Sequence, residues 1–430
     1  MKIMIIGTFD VDNYGDCLFP DIVRHELECR MENVETQLYS PTARVSKLGN
    51  YSQVYALPGT VEECKFIDFD AIIVAGGEVL NNGHNASGLY CSIRPNTMSS
   101  GMRMWMSPAI IKKWYGTPYV FNAVGVGRLD EQAKNGLSSV LKFANYKSVR
   151  DQHSADILSM AGSNISVETD SGFMLPRALA HINLQETARR VIPSGLALNS
   201  YLVIQASMNY LVGRFDQWCS VVSEIKRICN QPILLLPICY HNSDHMILRK
   251  ALHKLNELGI KTALTKYYLN IIETASVISC STGYFGTSLH GAITAIAFKK
   301  PLCVLCNSIP GKHEGVLKTV GLEMNVTNNL KHVPFIFENS LSMDVEVPAA
   351  KGMKGALKGF EDMFAALNGK TLSSKKQIDN ENWQIMLNAI EFEKKYYNKN
   401  LLIKRKLFNI IRSKTYLSDL YNLLSYLKKT

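Results

Sequence analysis

Short uninterrupted apolar runs, each closed by a turn and followed by a helical pattern, recur along this chain and constrain its fold more than any other feature. Lys2–Gly7, Asp70–Ala75, Tyr119–Val124 and Tyr146–Val149 read as strands, and helical patterns lie near Gly15–Cys29, Ser107–Tyr115, Glu131–Phe143 and His153–Met160. The same grammar restarts near Tyr201, with strands at Leu202–Ala206, Pro232–Ile238, Lys261–Leu264, Gly283–Gly286 and Pro301–Leu305 and helices between them. Continuous apolar strands alternating with helices imply parallel sheets buried on both faces. The expectation is an α/β chain of two Rossmann-like, doubly wound domains facing across a cleft. The first spans 1–175 and the second 201–345, joined by 176–200, where Pro176, Pro193 and Gly195 lie. A helical C-terminal extension fills 346–430. In such sheets ligands bind beyond the carboxyl ends of the strands, and the turns Asn13–Asp16, Gly76-Gly77 and Arg150-Asp151 all follow strands.

Length and charge narrow the function. The 430 residues, 47% hydrophobic, suffice for two or three ordinary cores. The ten cysteines form no paired framework, which fits a reducing cytoplasm. Cys303 and Cys306 form a C-x-x-C inside a strand, where alternation sends them to opposite faces, so we read a buried pair rather than a redox or zinc site. No secretory signal is visible, and no stretch approaches the roughly 20 apolar residues of a membrane span. Residues 394–430 hold ten Lys or Arg against Asp419, so +9 of the net +10 belongs to the tail and the body is nearly neutral. A nucleic-acid-binding body has no support in that distribution. Ile403, Leu407, Leu417, Leu420, Leu424 and Leu427 recur in the tail at helical spacing among lysines and arginines. Such helices suit an anionic membrane surface, which predicts a cytoplasmic protein held peripherally at the inner face of the cell membrane. The alternative is a helix docked on the body or on another subunit, and an oligomer fits as well as a monomer.

The run Gly286–Phe298 is the strongest local signal for chemistry. It reads as a strand end, a tight turn and a helix too apolar to be exposed, with His290 at its start. The unpaired N–H groups and positive dipole end of a helix suit a phosphate or carboxylate, and an imidazole there can give and take a proton. The bland alternative is a satisfied histidine at a helix start. Residues 77–106, with Asn81-Asn82-Gly83-His84-Asn85, read as a long loop that covers substrate. His241, Asp244 and His245 cluster near a helix start, but their spacing is too loose to read as a metal site.

Five motifs sit at strand ends in a consistent order: G-x5-N-x-G-D (Gly7, Asn13, Gly15, Asp16), V-A-G-G (Val74–Gly77), S-V-R-D-x-x-S (Ser148–Ser154), D-S-G-F (Asp170–Phe173) and G-T-S-L-H-G-A (Gly286–Ala292), with Lys312 following. Together, over roughly residues 1–325, they resemble the polysaccharide pyruvyl transferase family. The resemblance implies a fold like that of the GT-B glycosyltransferases, phosphoenolpyruvate as donor substrate with no cofactor or metal, and a sugar or lipid-linked glycan as acceptor. The product is a cyclic pyruvate ketal on a bacterial surface polysaccharide. Arg150, His290 and Lys312 fall on the family's donor-site positions.

The residue chemistry fits that reaction. A planar guanidinium grips a carboxylate or phosphate bidentately, which suits Arg150. Lys312 adds a point charge, and Thr287, Ser288, Gly291, Gly76 and Gly77 offer backbone to the donor. His290 is the candidate acid. Asp16 is the candidate base on an acceptor side that includes Asn13, Gly15 and His84, although a helix N-terminal cap is the simpler reading of Asp16. For Arg150 the structural alternative is an ion pair with Asp151 or Asp170. Two departures stand out: Ser288 where many members have arginine, and Glu78 where many have a third glycine. They keep two other readings in play, a GT-B-type glycosyltransferase using a nucleotide sugar and a non-catalytic glycan- or membrane-associated homologue.

Overall fold

A computed structural model describes residues 1–83, 86–91, 96–159, 165–368 and 377–395. His84 and the tail beyond Lys395, on which the membrane expectation chiefly rests, lie outside the described residues. Among the described residues the first sheet has seven parallel strands: β1 (Lys2–Ile6), β2 (Glu35–Ser40), β3 (Tyr55–Ala56), β4 (Ala71–Ala75), β5 (Tyr119–Val124), β6 (Tyr146–Val149) and β7 (Ser166–Val167), in the order β3-β2-β1-β4-β5-β6-β7. The second has six: β8 (Leu202–Ile204), β9 (Ile233–Leu235), β10 (Thr262–Leu264), β11 (Gly283–Gly286), β12 (Leu302–Leu305) and β13 (Val326–Thr327), in the order β10-β9-β8-β11-β12-β13. All pairs are parallel.

The expected pair of doubly wound domains is therefore present, and the apolar runs explain it. Along β1, Ile3 and Ile5 enter one core while Met4 and Ile6 enter another on the opposite face. On the second sheet Val203 faces the first of these cores and Leu202 and Ile204 a third. Cys303 and Cys306 divide between the third and the first core. The core that holds Ile3 continues through both domains and takes in the helices Tyr14–Glu28, Leu289–Ala297 and Glu346–Leu367.

Two elements differ from the sequence expectation. The helix read as Ser107–Tyr115 begins at Ser100, with Ser99 Oγ accepting the Met102 amide at 3.2 Å as its cap. The C-terminal extension also returns to the first domain. Gly352 and Gly355 of helix Glu346–Leu367 lie against Phe173 and Thr169. Met386, Ala389 and Ile390 of helix 380–395 join the first domain's outer core. Among the described residues no helix is long and apolar enough to cross a membrane.

The domains are pinned where the first chain turn meets the second domain. The Tyr14 amide donates to Ile238 O (3.0 Å) and the Tyr240 amide to Asp12 O (2.9 Å). The Tyr14 hydroxyl meets Thr294 Oγ1 at 2.9 Å. These bonds place the helix Tyr14–Glu28 beside the His290 helix at the carboxyl edges of both sheets.

Candidate active site

The first domain contributes charge. Ala123 has φ +47° where the β5–β6 register shifts, and this irregularity leads into Gly125. A Cβ on Gly125 would lie 2.8 Å from Arg150 Nη2, so glycine lets the guanidinium rest on the backbone. Arg150 follows β6 directly and is only 2% exposed. Its Nη1 is 3.3 Å from Asp170 Oδ2 and its Nε 3.6 Å from Asp151 Oδ2. Burial alone would lower its pKa; Asp170, Asp151 and Glu78 outweigh it and hold the guanidinium above its ordinary value. Each acid spends its other oxygen on backbone: Asp151 Oδ1 accepts the Ser154 amide (2.7 Å) and Asp170 Oδ1 the Gly172 amide (2.8 Å). Arg150 Nε and Asp151 Oδ2 are buried with no hydrogen-bond partner among the described residues.

The second domain contributes a locked loop and one ring. Gln205 Oε1 accepts the amides of Thr287 (2.8 Å) and Ser288 (2.9 Å). The Gln205 amide nitrogen donates to Asp244 Oδ2 at 2.7 Å. Asp244 also takes Ser207 Oγ (2.6 Å) and the amides of Ile238 (3.2 Å) and Cys239 (2.9 Å). Burial pushes its pKa up to about 6. Ser288 Oγ caps the helix by accepting the Gly291 amide at 3.2 Å. Of the five backbone positions offered to the donor from sequence, the three in this loop, Thr287, Ser288 and Gly291, therefore have amides already engaged within the protein. Gly291 and Gly286 have a packing role: a Cβ on either would lie 2.2 or 2.3 Å from the Tyr284 hydroxyl.

What the loop presents is the His290 imidazole. It stands edge-on to Phe19, with centroids 5.4 Å apart. A Cβ on Gly15 would lie 2.0 Å from its Nδ1. Its Nε2 is 3.7 Å from Asp170 Oδ2, an ion-pair distance beyond hydrogen-bond reach, and has no hydrogen-bond partner among the described residues. Arg150 from one domain and His290 from the other thus approach the same carboxylate oxygen. Burial would raise the Asp170 carboxyl; His290, Arg150 and the Gly172 amide outweigh it and hold it below the usual carboxylate range.

Asp16 lies beside this cluster and is not the helix cap. Asn13 is: its side chain accepts the Gly15 amide (3.3 Å), and its Nδ2 donates to Asp16 Oδ2 (2.7 Å). Burial raises the Asp16 carboxyl above its ordinary value despite His290, Asn13, Arg150 and Lys312. Gly76 and Gly77 have φ +49° and +70°, and a Cβ on Gly76 would lie 2.1 Å from the Phe19 ring. Their role is to turn the chain under Phe19 and Asp16. Lys312 Nζ crosses the domain boundary to Glu78 Oε2 at 3.0 Å, with both side chains over 40% exposed. Glu78 raises the Lys312 ammonium's pKa.

Sequence reasoning missed Gln205 and His313. His313 is buried and its Nε2 donates to Thr287 O at 3.1 Å. Burial, aided by Lys312, pushes its pKa down to about 3, so it is neutral. Its position directly after Lys312, at a helix start, was the one available signal. Among the described residues no group of His, Cys, Asp and Glu is arranged to hold a metal ion; Asp244 is occupied by four donors and His245 stacks on Tyr240.

Solved structures with the same arrangement of two facing domains include the UDP-GlcNAc 2-epimerase of Neisseria meningitidis bound to UDP-GlcNAc (10% identity, 86% of this chain and all of that one, TM-score 0.54). The UDP-GlcNAc 2-epimerase of Methanocaldococcus jannaschii matches at 13% identity over 82% of this chain and 98% of that one, TM-score 0.53. S. aureus MnaA with UDP matches at 13% over 85% and 93%, TM-score 0.50. At these identities the likeness shows the GT-B-like fold alone. Comparison with curated proteins gives no sequence match. The sequence profile of the polysaccharide pyruvyl transferase family matches residues 13–308, a span that runs from the Asn13 cap through Arg150 and Asp170 to the His290 helix. By that match, over well more than half its length, the chain belongs to the polysaccharide pyruvyl transferase family.

Proposed function

We propose that the chain moves the pyruvyl group of phosphoenolpyruvate onto two hydroxyls of one sugar in a surface-glycan precursor, closing a cyclic ketal and releasing phosphate. The observation that carries this reading is the convergence of Arg150 (3.3 Å) and His290 (3.7 Å) on Asp170 Oδ2. A guanidinium suited to a carboxylate and an imidazole suited to proton transfer face the same few ångströms from opposite domains.

In this reading Arg150 offers Nε, which has no hydrogen-bond partner among the described residues, to the donor carboxylate, and Lys312 exchanges Glu78 for the phosphate. His290 delivers a proton to the enol CH₂, and positive charge develops at the central carbon. One sugar hydroxyl adds there and its proton passes to Asp16, whose burial raises its pKa and so makes the carboxylate a stronger base. The carbon–oxygen bond to phosphate then breaks, and the second hydroxyl closes the ring and gives up its proton. One diol and one phosphoenolpyruvate yield one ketal and one inorganic phosphate. The basic segment 394–430 would hold the enzyme at an anionic membrane carrying lipid-linked acceptors, and its deletion should abolish sedimentation with anionic liposomes.

The test is phosphate release from phosphoenolpyruvate across a panel of free and lipid-linked glycans. Release should require an acceptor and should disappear in His290→Gln. Gly15→Ala, which drives a methyl group into the imidazole, should do the same. Thermal stabilisation by nucleotide sugars, with none by phosphoenolpyruvate and no phosphate release, would transfer the protein to the glycosyltransferase reading.

A further inference from the structure

A cavity of about 390 Å³ opens in the first domain between the chain following β2 and β3 and the residues Tyr90, Cys91, Thr97 and Arg103. We propose that it is a subsite for a neutral sugar unit of the acceptor glycan, neighbouring the unit that is modified. The proposal rests on the reading that the chain acts on a glycan.

Its lining has the mixture that sugars take: one aromatic ring (Tyr90), two hydroxyls (Thr42, Thr97), one carboxylate (Glu63) and one guanidinium (Arg103). Tyr90 is 41% exposed, and the Arg44 guanidinium sits over its ring at 4.5 Å. Arg44 in turn binds Asp10 O and Asp12 Oδ2, so the ring has a fixed backing. The apolar face of a pyranose can lie on such a ring while its hydroxyls find polar partners.

Charge decides against an anionic occupant. Arg103 spends Nε on Met98 O (2.9 Å), Nη1 on Pro41 O (3.4 Å) and Nη2 on Thr97 Oγ1 (3.3 Å). Glu63 Oε2 takes the Gly59 amide at 2.6 Å. Among the described residues one cation and one acid leave the lining with no net charge, a poor match to a diphosphate and a good one to a neutral polyol.

The walls are built by distant residues. Glu393, from the C-terminal extension, accepts the Gly83 amide (2.9 Å), the Ser99 amide (3.0 Å) and the Ser99 hydroxyl, and so holds Gly83 and Ser99 together. Asp10 accepts from Ser87 Oγ (2.6 Å), three residues before Tyr90, and holds the opposite wall through the Thr42 amide (3.0 Å) and Thr42 Oγ1 (2.7 Å). From Asp10 the chain runs through Asp12 and Asn13 to Asp16 beside His290, so cavity and reaction centre share one stretch of backbone.

The test is saturation-transfer NMR of the full chain, without phosphoenolpyruvate, against neutral mono-, di- and trisaccharides of glucose, galactose, mannose and N-acetylglucosamine. Disaccharides or longer should bind. Tyr90→Ala should weaken them roughly tenfold while Tyr90→Phe keeps them. Stabilisation by phosphoenolpyruvate should be unchanged in both variants. Saccharide affinity unaltered in Tyr90→Ala, binding by phosphate-bearing sugars alone, or no saccharide bound at all would overturn the subsite. Tyr90-dependent saccharide binding without phosphate release from phosphoenolpyruvate would leave the subsite standing and remove pyruvyl transfer. Acceptor-dependent release with a Michaelis constant indifferent to Tyr90→Ala at every acceptor length would do the reverse.

Discussion

The two domains bring unlike material to the same place. The first supplies a buried guanidinium among acids, with Arg150 Nε and Asp151 Oδ2 left without hydrogen-bond partners among the described residues. The second supplies a loop whose Thr287, Ser288 and Gly291 amides are all spent on side chains, leaving one imidazole to face Asp170 of the first domain. The difference separates two tasks that a motif merges: holding charge in a poised state and aiming a proton-transfer group. Charge can stay poised because carboxylates on neighbouring turns offset the desolvation of Arg150. Aim can be fixed because a buried amide–carboxylate network has few alternative arrangements.

That contrast can be broken at four points. Arg150→Met should cost most, about 3–5 kcal/mol in urea unfolding, because it strands Asp151 and Asp170 as buried charges; a loss under about 1 kcal/mol would mean that the acids are protonated or solvated. Gln205→Leu leaves the Thr287 and Ser288 amides without their acceptor and removes one of the four donors to Asp244, and should cost roughly 1–3 kcal/mol. It should also lower kcat without a matching rise in KM for phosphoenolpyruvate; stability lost with turnover intact would show that the loop does not aim His290. His313 titrates near 6.5 unfolded but at about 3 folded, so below pH 6.5 the unfolded chain binds a proton that the native one refuses. Stability from this residue is full above that pH and lost as pH falls towards 3, about 2 kcal/mol by pH 5. His313→Gln should flatten that part of the pH profile. Lys312→Gln should move stability least, within about 1 kcal/mol, since the Glu78 pair is exposed; its effect should appear as a salt-sensitive rise in KM for phosphoenolpyruvate.

The parts of the fold that were legible are those buried on both sides. β1, β4 and β5 read as strands because every residue but Lys2 is covered. β2, Glu35–Ser40, next to the edge strand β3, is polar and largely part-exposed, and the two-residue strands β3, β7 and β13 carry no pattern, so none was visible. Ser99-Ser100-Gly101 has the composition of a loop yet starts a helix, since Ser99 caps it and Gly101 tucks against Asn81. At the site, Arg150, His290, Asp16 and Lys312 could be picked out because their residue types carry chemistry. Gln205, His313 and Glu393 could not, because each acts on a partner 26 to 310 residues away.

The order of apolar runs and turns by itself determined two parallel sheets, and with them the edge on which the reactive side chains would gather, since a doubly wound sheet has one carboxyl edge. Only the tertiary structure decided what each motif residue is for. It made Asn13 rather than Asp16 the helix cap, turned Ser288 and Gly291 to capping and packing, and set a single oxygen of Asp170 between guanidinium and imidazole. The physical reason is that secondary structure follows from the period of neighbouring side chains, whereas the partner that satisfies a buried polar group is chosen only when distant segments close on it.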